Sequence, residues 1–257
     1  MQDTTRRAVH NLLKTFAQES LKDYDIETLK RAYPFHRLFF DEVGLVAFKQ
    51  ERSVVTKMGM RLYPELARLI ALENYSDVTR ERAIAGQLKD TTVNTIDRIV
   101  RDLRAGQRSP NHEQEMAEIA NADPDSSEVE VRVIADLYIG DFQDGPFFAE
   151  IKTPVPNLDI CAESKSKILT FKALLRGHNP QAYLAFAYNP YITRAAYGHN
   201  PTTRIMDMQA EVLMAEEFWD AIGGDGAFAE LLSIIDLVGD EIRNKKASKP
   251  SDQARRL

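Results

Sequence analysis

Glu128-Val-Glu-Val-Arg-Val-Ile-Ala-Asp-Leu-Tyr-Ile139 decides the reading of this chain. Its odd positions, Val129, Val131, Val133, Ala135, Leu137 and Ile139, are all apolar, while Glu128, Glu130, Arg132 and Asp136 share the even face. A period of two is that of a strand with one buried face. The following Gly140-Asp-Phe-Gln-Asp-Gly145 has turn chemistry, and Pro146 to Thr153 resumes an extended pattern, which predicts an antiparallel hairpin. Closing that hairpin symmetrically about Gln143 sets Asp136 directly opposite Glu150.

The second strand carries Glu150-Ile151-Lys152. Strand geometry turns Glu150 and Lys152 to one face and sends Ile151 into the core. Two carboxylates across a ladder have Cβ atoms roughly 5 Å apart, and their repulsion needs a compensating charge. A hard divalent cation with oxygen ligands from Asp136, Glu150 and the Ile151 carbonyl meets that need, and Mg²⁺ suits such a set. Lys152 then stands beside the attacking water, where its ammonium offsets charge on a phosphate under attack.

One acid on a strand, an acid-x-lysine on the next and a helix behind them resemble the PD-(D/E)xK nuclease superfamily. The proline of that motif is absent, since Asp136 stands in Ala135-Asp136-Leu137. A wider stretch, Ala135-Asp-Leu-Tyr-Ile-Gly-Asp-Phe142 with Ala149-Glu-Ile-Lys-Thr-Pro-Val-Pro-Asn-Leu-Asp159 and Ala162-Glu-Ser-Lys165, resembles the TdeIII family of type II restriction endonucleases. Glu51-Arg-Ser-Val-Val-Thr-Lys-Met-Gly59 and Ala187-Tyr-Asn-Pro-Tyr191 are similar to segments of the same family. The resemblance implies Mg²⁺-dependent cutting of double-stranded DNA at a short palindrome of the GGNCC kind, with Asp136, Glu150 and Lys152 as the catalytic set. A palindrome is matched by a two-fold protein, so a homodimer is expected. The chain has no methyltransferase motif, so a cognate DNA methyltransferase would be a separate polypeptide. Two other readings stay open: a structure-specific or repair nuclease of the same superfamily, and a non-catalytic DNA-binding module.

Around this set the candidates have bland alternatives. Lys165, Lys167 and Lys172 line the DNA cleft or are simply exposed helix lysines. Glu163 orients a water from the same helix or complements the helix dipole. Glu65, Glu73 and Glu81, placed on or near N-terminal helices, offer a further acid or are surface residues. Ser53, Thr56 and Lys57 contact phosphate or serve as caps and solvated groups. Asn189, in Tyr188-Asn-Pro-Tyr191, meets a base edge or phosphate, or closes a strand-ending turn. The five histidines have no zinc spacing, Gly223-Gly-Asp-Gly226 lacks the lysine of a phosphate loop, and Cys161, the single cysteine, reads as inert.

The totals agree with this frame. The 257 residues are 44% apolar, enough for a sizeable core, and the net charge of −6 speaks against a generally basic nucleic-acid coat while leaving room for a local basic cleft. The opening MQDTTRRAVH lacks a secretory apolar core, and no apolar run approaches the roughly 18 residues of a membrane span, so a cytoplasmic location is expected. Helical periodicity predicts helices at 4–19, 25–33, 54–71, 91–104 and 111–120, then at 162–176, 207–221 and 228–243, with a further strand at 182–188. The expected architecture is a single α/β domain, 1–244, with a PD-(D/E)xK-like mixed sheet flanked by helices. Its helical part spans about 4–120 and its catalytic core about 126–244, before a disordered tail at 245–257.

Overall fold

The computed structural model describes residues 1–20 and 22–247. They fall into two compact units, one formed by Met1–Leu66 with the chain from Ala229 on, the other by Ala67–Phe228.

The first unit is helical. It holds α1 (Asp3–Ser20), α2 (Ile26–Ala32), a 3-10 turn (Pro34–Leu38), α3 (Glu42–Lys57), a π-turn (Met58–Leu62), the start of α4 (Tyr63–Ala71) and most of α10 (Ala227–Ala247). Side chains set the starts: Asp25 accepts from the Thr28 amide at 2.9 Å, and Asp41 from the Gly44 amide at 2.7 Å. The second cap starts α3 at Glu42, twelve residues before the expected 54. Val9, Leu13, Leu29, Leu45, Leu231 and Ile234 are buried in this unit. The N-terminal amine and Arg6 bind Glu230, and His10 and Lys14 bind Glu241, which ties α1 to α10. Of the expected tail, Lys245–Ala247 belong to α10, and 248–257 lie outside the described residues.

The second unit is the α/β part. Its sheet contains β1 (Val78–Lys89), β2 (Glu128–Ile139), β3 (Phe147–Lys152), β4 (Gln181–Phe186) and β5 (Val212–Met214), in the order β1-β2-β3-β4-β5. The pairs β1/β2 and β2/β3 are antiparallel; β3/β4 and β4/β5 are parallel. The flanking helices are α5 (Asp90–Ala105), α6 (His112–Ala120), α7 (Leu158–Leu174), α8 (Asn200–Ile205) and α9 (Glu216–Gly223). This is the expected mixed sheet with flanking helices. The hairpin closes as expected: Leu137 pairs with Ala149, Tyr138 with Phe148 and Ile139 with Phe147, a register symmetric about Gln143. Its turn requires Gly145, at φ 122°, because a Cβ there would lie 2.2 Å from the Asn179 carbonyl oxygen.

α7 is the crossover between the parallel strands β3 and β4. Asn157 caps it through the Ile160 amide, at 2.9 Å. Ile168, Leu169 and Phe171 pack with Phe148, Leu184 and Phe186, and each such burial stabilises by about 1.5–3 kcal/mol.

Two expectations are corrected. Residues 78–89 form an edge strand inside the stretch read as helical, since the β2 backbone offers them a ladder running from Val78↔Ile139 to Lys89↔Glu128. That ladder is interrupted where Glu81, at φ 53°, faces Asp136. Residues 207–221 are not one helix. Val212–Met214 pairs with β4, and α9 starts at Glu216. No helix among the described residues is long and apolar enough to cross a membrane.

Candidate active site

β2 and β3 part company just beyond the Leu137–Ala149 pair, and this separation builds the site. The Ile151 amide donates not to a strand carbonyl but to Asp136 Oδ2, at 2.8 Å. Lys152 Nζ lies 3.0 Å from that oxygen and 2.7 Å from Glu150 Oε1. Asp136 and Glu150 therefore share one ammonium and are close enough to share one small cation. Glu150 is 0% exposed, because β3 is flanked by β2 and β4 and its even face is roofed by α7. From α7, Lys167 Nζ reaches the same Glu150 Oε1 at 2.8 Å and Glu163 Oε1 at 2.9 Å.

Three carboxylates meet two ammoniums here, so one negative charge is in excess. Glu150 Oε2 is buried and accepts no hydrogen bond, a costly state for a carboxylate oxygen. Burial pulls the Lys152 ammonium down, but the charges of Glu150 and Asp136 outweigh it and hold its pKa above the ordinary lysine value. For Lys167 burial acts the same way, and hydrogen bonds to Glu150 and Glu163 prevail, again raising the pKa. The hydrogen bond from Lys167 lowers Glu163. Beside these groups opens a cleft of about 280 Å³ lined by Asp97, Arg132, Glu163, Ser166, Lys167 and Thr170.

The opposite face of α7 carries a second ionic network. Lys165, 0% exposed, lies 2.5 Å from both Glu115 and Glu211. His112 Nδ1 is 2.9 Å from Glu211 Oε1, and Lys172 Nζ is 2.8 Å from His112 Nε2. Asp207 accepts from the His112 amide at 3.1 Å. Burial raises Glu115; for Glu211 burial is outweighed by His112 and Lys165, so its pKa is lowered. Burial lowers Lys172. His112, Glu115 and Glu211 present ligand atoms within 4.8 Å of one another, an arrangement able to hold a metal ion. The cation it holds here is the Lys165 ammonium. Lys165 is wholly buried with its three donors facing both Glu211 oxygens and one Glu115 oxygen, so it does not line the cleft in this structure, and Lys172 is turned to His112.

Asn189 Oδ1 accepts from the Tyr191 amide at 2.9 Å, closing the turn after β4. Glu81 is on β1, not on a helix, and Glu73 follows α4. Glu65, Ser53, Thr56 and Lys57 belong to the first unit. Cys161 is buried, and burial raises its thiol. His112, Glu115 and Glu211 escaped the sequence reading. A signal for their network was present, since Lys165 falls on the stripe Cys161, Lys165, Ile168, Lys172, whose spacing is that of one buried helix face.

A family model described as "Type II restriction endonuclease, HinfI" matches residues 1–239. The type II restriction enzyme HgiEI of Herpetosiphon aurantiacus is 28% identical over 257 residues, covering 91% of this chain and 93% of the relative. HgiCII of the same organism is 29% identical over 240 residues, 88% of each. MjaII of Methanocaldococcus jannaschii is 25% identical over 256 residues, 86% of this chain and 65% of the relative. No solved structure matches. The restriction-endonuclease class expected from the sequence is thus met, through a family described by HinfI.

Proposed function

Because the chain belongs to the HinfI family of type II restriction endonucleases, which are site-specific deoxyribonucleases, we propose that it hydrolyses phosphodiester bonds of duplex DNA at a short palindrome, with Asp136, Glu150 and Lys152 as its catalytic set. The observation that carries this reading is Glu150, wholly buried yet with one oxygen unpartnered, beside a second acid and two ammoniums. Such an oxygen, next to Asp136 and within a net negative group, fits a hard divalent cation. Mg²⁺ is the cofactor we assign, held by Asp136, Glu150 and the Ile151 carbonyl. When bound it supplies Lewis-acid activation of water and charge neutralisation at the phosphate.

The chain's own groups do the rest. The Ile151 amide fixes the Asp136 carboxylate, and Lys167 fixes that of Glu150. Lys152, kept charged by both acids, donates an N–H hydrogen bond to the oxyanion that develops at phosphorus. Glu163 holds Lys167 from the cleft side. The core is of the PD-(D/E)xK type with TdeIII-like segments, the target is GGNCC-like, and the acting form is a cytoplasmic homodimer paired with a separate DNA methyltransferase.

Digestion of a sequenced plasmid with Mg²⁺, followed by mapping of the fragment ends, tests the proposal. Discrete ends sharing one short palindrome are expected. A smear, or a preference for branched DNA, would assign the core to structure-specific cleavage. DNA left intact but shifted on a gel would make the chain a non-catalytic binder.

A further inference from the structure

One face of α3 carries Lys49, Arg52, Ser53 and Thr56 at helical spacing, with Lys57 one position on. Together with Tyr33 they line a cleft of about 350 Å³ inside the first unit. We propose that this cleft is a binding site for the phosphodiester backbone of duplex DNA; the assignment rests on the nuclease reading only for the identity of the polyanion.

The charge arrangement carries the argument. Several cations of this unit are neutralised, Arg6 by Glu230 at 2.9 Å, Lys14 by Glu241 at 2.5 Å, and Lys30 by Glu27 and Glu42 at 2.9 and 2.5 Å, while Arg7, Lys22, Arg31, Arg37 and Arg61 make no ion pair among the described residues; what sets α3 apart is that three such cations gather round one cleft. Lys49, Arg52 and Lys57 have no carboxylate within ion-pair distance among the described residues, although acids outnumber bases 39 to 33 in the chain. Aromatic rings and a phenol hold two of them instead. Lys49 Nζ donates to the Tyr33 hydroxyl at 3.3 Å and lies 5.7 Å from that ring, and the Arg52 guanidinium lies 5.6 Å from the Phe48 ring. These contacts orient the cations and leave their charge whole. Three like charges round one cleft repel, and a polyanion relieves the repulsion. Thr56 spends its hydroxyl hydrogen on the Arg52 carbonyl, at 2.9 Å, whereas Ser53 keeps a hydroxyl facing the cleft for a phosphate oxygen. From Lys49 to Lys57 the helix rises about 12 Å. One DNA strand carries a charge about every 3.4 Å of axis, so the stripe spans about four successive phosphates. Phosphate contacts position a protein on DNA without reading sequence.

The test measures binding of the full chain to a mixed-sequence duplex over a range of salt concentrations, with a chelator present so that no cleavage intervenes. Each phosphate contact contributes about 0.9 to the slope of log affinity against log salt. The triple variant Lys49→Ala, Arg52→Ala, Lys57→Ala is expected to lose about 2–3 of that slope, equally on all sequences. The single variants each lose about 1, which covers the case of a triple variant that fails to fold. Arg52→Lys, which keeps the charge, retains the slope. An unchanged slope in correctly melting variants overturns the proposal, as does native protein that does not bind duplex DNA. Tight binding of inorganic tripolyphosphate with an unchanged DNA slope would assign the cleft to a small polyphosphate and likewise overturn it. A slope that falls in a protein unable to cut any plasmid would uphold the cleft while refuting the nuclease reading.

Discussion

Lys165→Met removes the charge at the centre of the buried network and nearly preserves the side-chain volume. Lys165, Glu115 and Glu211 are each 0% exposed, and the ammonium lies 2.5 Å from both acids. Breaking a buried pair by deleting one partner costs about 3–5 kcal/mol, since water cannot replace the lost charge. For a chain of this size 1 kcal/mol shifts the melting midpoint by about 2–4 °C, so a fall on the order of 10 °C is expected. The sign of its pH dependence also follows. Without Lys165 the two carboxylates face each other in a dry setting, and their folded-state pKa values rise above the unfolded ones. Acids raised on folding favour the native state at low pH and lose that contribution as pH increases, so the deficit is largest at neutral pH and shrinks on acidification. Urea denaturation of the native chain and the variant at several pH values measures both effects. A loss below about 1 kcal/mol, or a deficit independent of pH, would show that the Lys165 ammonium does not hold Glu115 and Glu211 in the core.

Glu150→Ala and Lys152→Ala each slow plasmid cleavage by at least about 10²-fold while leaving gel-shift binding in Ca²⁺ largely intact; near-native cutting by either removes it from the catalytic set. Glu81→Gly raises stability by about 0.5–1 kcal/mol, because an exposed non-glycine residue at φ 53° is strained; a drop in the melting midpoint would show that its side chain contributes more than the strain costs. Asp207 and Glu211 both lie below their ordinary values of 3.8 and 4.5, so the stability they add is present above about pH 4.5 and is lost as pH falls through the lowered folded values. Melting midpoints between neutral and acid pH should therefore decline less steeply for Glu211→Gln than for the native chain, and parallel curves would exclude that account.

The hairpin was legible because its information is local. Alternation over 128–139 and the glycines at 140 and 145 fix face, turn and register, and with them the meeting of Asp136, Glu150 and Lys152. β1 was not legible. Thr79-Arg-Glu-Arg-Ala-Ile-Ala-Gly86 has weak alternation and few β-branched residues, and as an edge strand it buries little, so the β2 ladder and not its own pattern makes it extended. The start of α3 was readable in Asp41, a capping residue three positions before Gly44. β5 is three residues long, too short for a periodic signal, and only its pairing with β4 overrides the helical look of Ala210-Glu-Val-Leu-Met-Ala-Glu216. The network of His112, Glu115, Lys165 and Glu211 joins residues nearly 100 positions apart, a juxtaposition that tertiary packing alone creates.

The α7 segment answers to both ionic groups at once, Glu163 and Lys167 toward Glu150 and Lys165 and Lys172 toward the opposite side. An α-helix advances about 100° per residue, so inserting or deleting a single codon near Ser166 would swing one half of the segment out of phase with the other. Length changes there break the ion pairs at Glu150 and those of the buried network together. A change of length in this stretch is therefore expected to cost more than a substitution at one of its exposed positions.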